Sequence, residues 1–279
     1  TGCVRLAWIV HAVVLLKQIL DWELPPQRFR IDPQTKRPPD GLAPKLLGPF
    51  EQNALELALQ LEQAGTVEKV TALLAGPADA VEALRKALAV RADEAVHVEV
   101  EEVDALDPSQ TAELLVAALR RLGPPELVLA GRQAGDWDHG QVGYLVAERL
   151  GWPAVGLVFR GESRDGRLHV WRIGPSGVEQ LAVRPPVVLT VTSHTDLRLR
   201  MGSVIDLMAA NRKPIASWRP DELGLGSADL AAARRLELGE VWVPEVDRNC
   251  ELIEGEDAAE VAARLLDRLA GLELLERPA

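Results

Sequence analysis

The chain has 279 residues and a mass of 30.4 kDa, which points to one large domain with appendages or to two small domains, since single domains usually run to about 100–200 residues. With 47% hydrophobic and 26% charged residues, the composition is that of a soluble globular protein and excludes wholesale disorder, collagen-like repeats and a polytopic membrane protein. A net charge of −11 speaks against nonspecific nucleic-acid binding, which needs a surplus of Lys and Arg along the phosphate backbone.

The first apolar stretch, Leu6 to Leu16, is interrupted by His11 and stops at Lys17, short of the roughly 18–20 residues that span a bilayer, so membrane insertion is not expected. Val13 to Leu16 reads as a buried strand and Asn53 to Gln63 as a helix with Leu55, Ala58 and Leu59 on one side. Val67 to Leu74 is the next strand. Gly76 and Pro77 break the chain before a helix through Ala89 that carries Val81, Leu84 and Leu88 on one face. Ala95 to Val100 reads as a strand, and Ser109 as the N-cap of a helix through Arg121. Glu126 to Ala130 is again a strand, followed by a polar glycine-rich loop and a helix near Gln141 to Leu150 that Gly151 closes.

Strands spaced by helices predict βαβ units in an α/β fold, with a doubly wound, mostly parallel sheet. After about Gly161 the pattern changes. Arg167 to Ile173 and Val178 to Val183 alternate around Gly174-Pro175-Ser176-Gly177, which predicts a β-hairpin insertion. Val187 to Val191 is an apolar strand. From about Pro214 the chain turns rich in Pro, Gly and acidic residues, with one clear helix over 257–270. Such a segment reads as a C-terminal arm that packs on something else. The division expected is therefore 1–12, an N-terminal extension; 13–213, an α/β nucleotide-binding domain; and 214–279, the arm. Two cysteines, Cys3 and Cys250, build no disulfide framework, and a reducing cytoplasm is the expected setting.

The common catalytic signatures are missing. The chain has no GxxxxGK followed by Ser or Thr, no HExxH and no strand-bound GxGxxG. Ser193, His194 and Asp196 are neighbours on one short stretch, which seldom gives triad geometry. Neither a catalytic residue nor a metal site is expected.

One segment stands out: Gly131-Arg132-Gln133-Ala134-Gly135-Asp136-Trp137-Asp138-His139-Gly140-Gln141-Val142-Gly143. It leaves a predicted strand and enters a helix N-terminus, where free N–H groups and the helix dipole favour an anion. Its glycines let a main chain approach a ligand closely. Asp136 and Asp138 would repel phosphate, which casts them as acceptors for ribose hydroxyls or as helix caps. Two readings stand on spacing alone: a nucleotide site, or an acidic turn that caps a helix.

The loop has the form GxQAxDxDxxQxG without a gap, and in this the chain resembles the β subunit of electron transfer flavoproteins. The likeness continues in VLLKQILDW at 14–22, PFEQNALELALQL at 49–61, LAGPADAVEALRKALAVRADEAVHV at 74–98 and PPVVLTVTSHTDLRLRMGSVIDLMAANRKPI at 185–215. The resemblance implies an adenine-nucleotide α-hydrolase-like fold and an electron carrier, not an enzyme. It implies an α-subunit partner holding the redox-active FAD, and a structural AMP in this chain, or a second FAD as in electron-bifurcating members. Flavin dehydrogenases, acyl-CoA dehydrogenases among them, and a quinone-linked acceptor are the implied redox partners.

By position, the resemblance assigns the nucleotide to Leu15, to the turn Gly48, Pro49, Phe50 and Glu51, to Ala75, and to the loop from Gly131 to Val142. Trp22 and Phe50 match aromatics that approach the partner's flavin. A recognition loop extends over about 194–203, with Arg200 and Met201 matching its characteristic pair. Val204 is either its apolar anchor or a core residue of the next helix. There are departures. Gly48 stands where an asparagine is expected, His139-Gly140 replaces a Thr-Ala that many bacterial loops carry, which favours AMP over a second FAD, no proline precedes Arg200, and Met201 is not aromatic. A nucleotide-binding sensor without redox function is the rival reading on the same scaffold.

Overall fold

In the computed structural model, residues 9–101, 106–123, 125–244 and 250–274 are described. The chain opens with β1 (Ile9–Leu16), followed by a short antiparallel ribbon of β2 (Gln18–Leu20) and β3 (Lys45–Leu47). Three βα steps then come in succession: α1 (Pro49–Gln63) into β4 (Val67–Gly76), α2 (Val81–Ala89) into β5 (Glu94–Glu99), and α3 (Pro108–Leu122) into β6 (Leu127–Gly131). After α4 (Val142–Leu150) the chain runs through β7 (Ala154–Arg164), β8 (Arg167–Gly174), β9 (Gly177–Val183) and β10 (Val187–Val191). Helix α5 (Val204–Arg212), β11 (Ala216–Trp218), α6 (Ser227–Ala233) and α7 (Ala258–Gly271) complete it.

Among the described residues, nine strands form one sheet in the order β11-β5-β4-β1-β6-β10-β7-β8-β9. All neighbours from β11 to β7 pair in parallel, and only the β7-β8 and β8-β9 pairings in this sheet are antiparallel. The expected doubly wound sheet and its hairpin are both present. Strand alternation divides the core into two layers. Ala12, Val14 and Leu16 of β1 pack with α1 and α2, while Val13 and Leu15 face α3 and α4. Central strands buried on both faces read as continuous apolar runs, as parallel sheets require.

Several elements differ from the sequence reading. Helix α1 starts at Pro49, whose ring fixes a helical φ at the first position. Asp107, not Ser109, caps α3: its Oδ1 accepts from Gln110 N at 2.8 Å, and Gln110 Oε1 accepts from Asp107 N at 3.0 Å. Ser109 lies inside the helix and accepts from Arg149 Nη2. Strand β1 begins at Ile9, so residues 9–12 belong to the sheet, and residues 1–8 of the expected extension lie outside the described residues. Strand β11 adds to the sheet edge beside β5. The first compact unit therefore reaches Val241, beyond the boundary expected at 213, and a second unit, Trp242–Ala279, carries α7. Helix α7 is capped by Asp257, whose Oδ1 accepts from Glu260 N.

Candidate functional site

Strand β1 feeds α1 on one face of the sheet, and its neighbour β6 feeds α4 on the other. Adjacent strands whose connections diverge in this way leave a crevice at their carboxyl ends, the usual ligand position in open α/β sheets. A pocket of about 540 Å³ lies there. Leu15 and Lys17 from the end of β1, Ala75 from the end of β4, and Ala130 and Gly131 from the end of β6 form its floor. Glu51 of α1 and Gln133, Ala134, Trp137, His139, Gly140 and Val142 of the loop continue the wall.

The other predicted site residues support this wall from behind. Lys17 Nζ meets both carboxylate oxygens of Asp136 at 2.7 Å, which fastens the loop to the end of β1. Gln133 Nε2 donates to Asp138 Oδ1, and Asp138 takes a left-handed backbone with φ 58°. Ala134 N bonds His139 O at 3.0 Å, and Asp138 N bonds Ala134 O at 3.0 Å. The two aspartates thus shape the loop, and neither is among the residues that line the pocket. Gly131 and Gly135 make room for the first turn of α1: a Cβ on Gly131 would meet Phe50 Cβ at 2.9 Å, and one on Gly135 would meet Pro49 Cδ at 3.0 Å. The Arg132 guanidinium stacks 4.6 Å above the Phe50 ring. Gln141 is the N-cap of α4 and offers no side-chain hydrogen bond there.

Among the described residues two side-chain polar atoms are buried without a partner, Glu51 Oε2 and Arg132 Nε. Orphans of this kind are rare and call for a ligand or a functional reason. Burial first, and Asp136 more weakly, raise the Glu51 carboxyl to about 7, against its own N–H and Lys17, which lower it. Its carboxyl occupies the place that a side chain at Gly48 would fill, since a Cβ on Gly48 would fall on Glu51 Oε2. Neither α1 nor α4 has a side-chain N-cap, and both first turns border the pocket through Glu51 and Val142. First turns without side-chain caps, an unpartnered carboxyl oxygen and an apolar floor suit a ligand with an anionic group, hydroxyl donors and a flat ring.

Sequence reasoning missed part of the wall. Leu106, Asp107, Thr111 and Leu115 border the pocket from the start of α3, residues 35–37 from the loop after β2, and Arg234, Leu236 and Leu238 from the segment after α6. No motif marks them, because they converge only in three dimensions.

The remaining predicted residues lie elsewhere. Trp22 is half-exposed and is not part of the pocket wall. Arg200 is held by Glu56 of α1: its N, Nε and Nη2 donate to the carboxylate at 3.1, 3.0 and 2.8 Å. Asn53 and Gln60 on the same face of α1 donate to the carbonyls of Leu197 and Asp196, each at 2.7 Å. Next to this anchored segment Met201, Val204 and Ile205 are 93%, 73% and 79% exposed, so Val204 is a surface residue and not a core one.

An electron transfer flavoprotein domain model matches residues 43–223. The chain is 32% identical over 261 residues to the caffeyl-CoA reductase-Etf complex subunit CarD of Acetobacterium woodii, covering 93% of this chain and 98% of that protein. It is 33% identical over 222 residues to the human electron transfer flavoprotein subunit beta, covering 77% and 84% of the two. It is 32% identical over 223 residues to protein FixA of Azorhizobium caulinodans, covering 77% of each. With a fold, a loop and a full-length likeness in agreement, the chain belongs to the electron transfer flavoprotein β-subunit family.

Proposed function

We propose that this chain is the β subunit of a heterodimeric electron carrier, that its pocket holds a structural AMP, and that it helps an α subunit enclose the redox-active FAD. The observation that carries the nucleotide reading is the pocket at the divergence of β1 and β6, with Glu51, whose Oε2 is unpartnered, in its wall. Glu51 would accept from a ribose hydroxyl, and the first turns of α1 and α4 would receive the phosphate. The flavin supplies the electron chemistry, and this chain's residues bind, orient and shield. The exposed Met201, Val204 and Ile205 beside the Arg200 anchor would form a small apolar docking face, suited to encounters that must dissociate quickly. The second unit, with α7, would pack on the α subunit.

Mass spectrometry of the denatured, coexpressed αβ complex tests this. One AMP and one FAD per heterodimer is the expected result. Two FAD would replace AMP by a second flavin, and a complex without flavin would overturn the carrier reading.

Replacing Gly140 by valine probes the loop. A Cβ at 140 would stand 3.0 Å from the Arg132 carbonyl oxygen, so the close approach that needs glycine is between two arms of the loop itself. Gly140→Val is expected to spread these arms and weaken AMP retention about tenfold, the scale of a modest overpacking strain. AMP content after extended gel filtration reads this out, and an unchanged content would remove the loop from the site.

A further inference from the structure

We propose that residues 234–238 form a strap over the nucleotide pocket and that Asp107 is the positioning residue that fastens it. The inference rests on the nucleotide reading above.

Arg234 N still closes the end of α6 by donating to Ala231 O at 3.2 Å, and residues 235–238 belong to none of the described helices or strands. A segment without a ladder must find partners for its backbone elsewhere. Arg235 N and Leu236 N both donate to Asp107 Oδ2, at 2.5 and 2.7 Å. Two residues on, Leu238 O accepts from Lys36 Nζ at 2.7 Å. The strap is thus tied at one end to the cap of α3 and at the other to the loop after β2, and both ties stand at the pocket, where Lys36, Asp107, Leu236 and Leu238 are wall residues. Behind it, Gln110 Nε2 donates to Leu230 O at 2.9 Å and fixes α6, from which the strap departs.

Asp107 divides its work by oxygen atom. Oδ1 caps α3, and Oδ2 holds the strap. Its residue is only 7% exposed, so neither bond competes with much water. Burial would raise this carboxyl, but N–H donors from Gln110, Arg235, Leu236 and Ser109 outweigh it and hold the group below the usual carboxylate range, charged and accepting with both oxygens. Leu236 and Leu238 complete an apolar wall with Leu106 and Leu115, of the kind a flat ring packs against. A ligand seated under this wall leaves only when the strap lets go of Asp107.

Asparagine caps helices as well as aspartate does, yet it has one acceptor oxygen where two are needed. Asp107→Asn therefore spares α3 and disables the strap. In the full-length αβ complex loaded with radiolabelled AMP and chased with unlabelled AMP, the variant is expected to release AMP about tenfold faster or more, since two charge-assisted bonds are lost. Amide exchange at Arg235 and Leu236 should lose its protection. Lys36→Met, which cuts the far tie and leaves the cap untouched, should speed release in the same direction.

A wild-type complex that holds AMP, with both variants releasing it at the wild-type rate, would overturn the strap and leave the nucleotide site standing. A wild-type complex that retains neither AMP nor a second FAD would overturn the nucleotide reading, and the strap's role with it. For a complex that purifies with two flavins, the recovery of FAD fluorescence on release replaces the label.

Discussion

Arg200→Ala is expected to destabilise the protein by about 3 kcal/mol, far more than loss of an exposed ion pair, for which about 0–1 kcal/mol is usual. The reason is the environment of Glu56. Its side chain is 7% exposed on a helix facing the sheet, and the Arg200 guanidinium meets its two oxygens with separate donors. Without that fork, the carboxylate keeps the Arg200 backbone N–H at 3.1 Å and Gln60 Nε2 at 3.2 Å. Breaking a buried pair strands a charge at about 3–5 kcal/mol, and the partial exposure of Arg200 places this case at the lower end. Burial would raise the Glu56 carboxyl, but Arg200's donors prevail and hold it low, so its stabilising share is present above the unfolded carboxylate range and is lost as acid protonates the folded state.

Thermal unfolding should show the loss as a fall of about 6–12 °C. Arg200→Lys keeps the charge but not the fork and should fall between. If Arg200→Ala melts within 1 °C of wild type, the pair is not holding the segment. The same change is expected to free residues 196–200 from α1, because the anchors at Asn53 and Gln60 are single neutral bonds. Met201 and Val204 should shift with that segment, while the Arg200 guanidinium is engaged by Glu56 of the same chain.

The contrast between Arg200 and the 131–143 loop shows what a sequence exposes and what it hides. The loop was legible because its residues are contiguous: strand, glycine, two aspartates and helix start lie within thirteen positions, and the structure places most of them at one pocket. The roles within it were not legible. Asp136 and Asp138 were read as acceptors for a ligand or as caps, and they instead bond Lys17 and Gln133, the first of these 119 positions away. The sheet was legible because the cores of β1, β4, β6 and β10 are buried on both faces and give mostly apolar runs. Strand β11 was not, since three residues at an edge leave too short a pattern. The strap was invisible for a related reason. Its tie is a carboxylate 128 positions upstream that looks, in sequence, like any acidic residue before a helix.

Glu51 gives the second large effect, and its sign follows from the direction of its shift. In the folded chain the carboxyl holds its proton up to about pH 7, against an ordinary value of 4.5 in the unfolded chain. Between those values the folded state binds more protons, so stability falls as pH rises through the window, and the cost is fully developed above it. A separation of about 2.5 units corresponds to about 3 kcal/mol. Glu51→Gln cannot titrate. It should therefore match the nucleotide-free wild type near pH 4.5 and exceed it by about 3 kcal/mol at pH 8 in denaturant unfolding, whereas a difference that stays constant with pH would mean that the carboxyl is not buried as a neutral acid. Nucleotide should reverse the ranking. A ribose hydroxyl donated to Glu51 would favour the charged form and offset its burial, so adding AMP at pH 8 should stabilise wild type more than Glu51→Gln. A residue whose folded state resists ionisation when empty, and accepts it when a donor arrives, makes ligand binding release the stored cost. That coupling is what an orphaned carboxyl in a pocket wall can contribute, and a carboxyl satisfied by the protein alone could not.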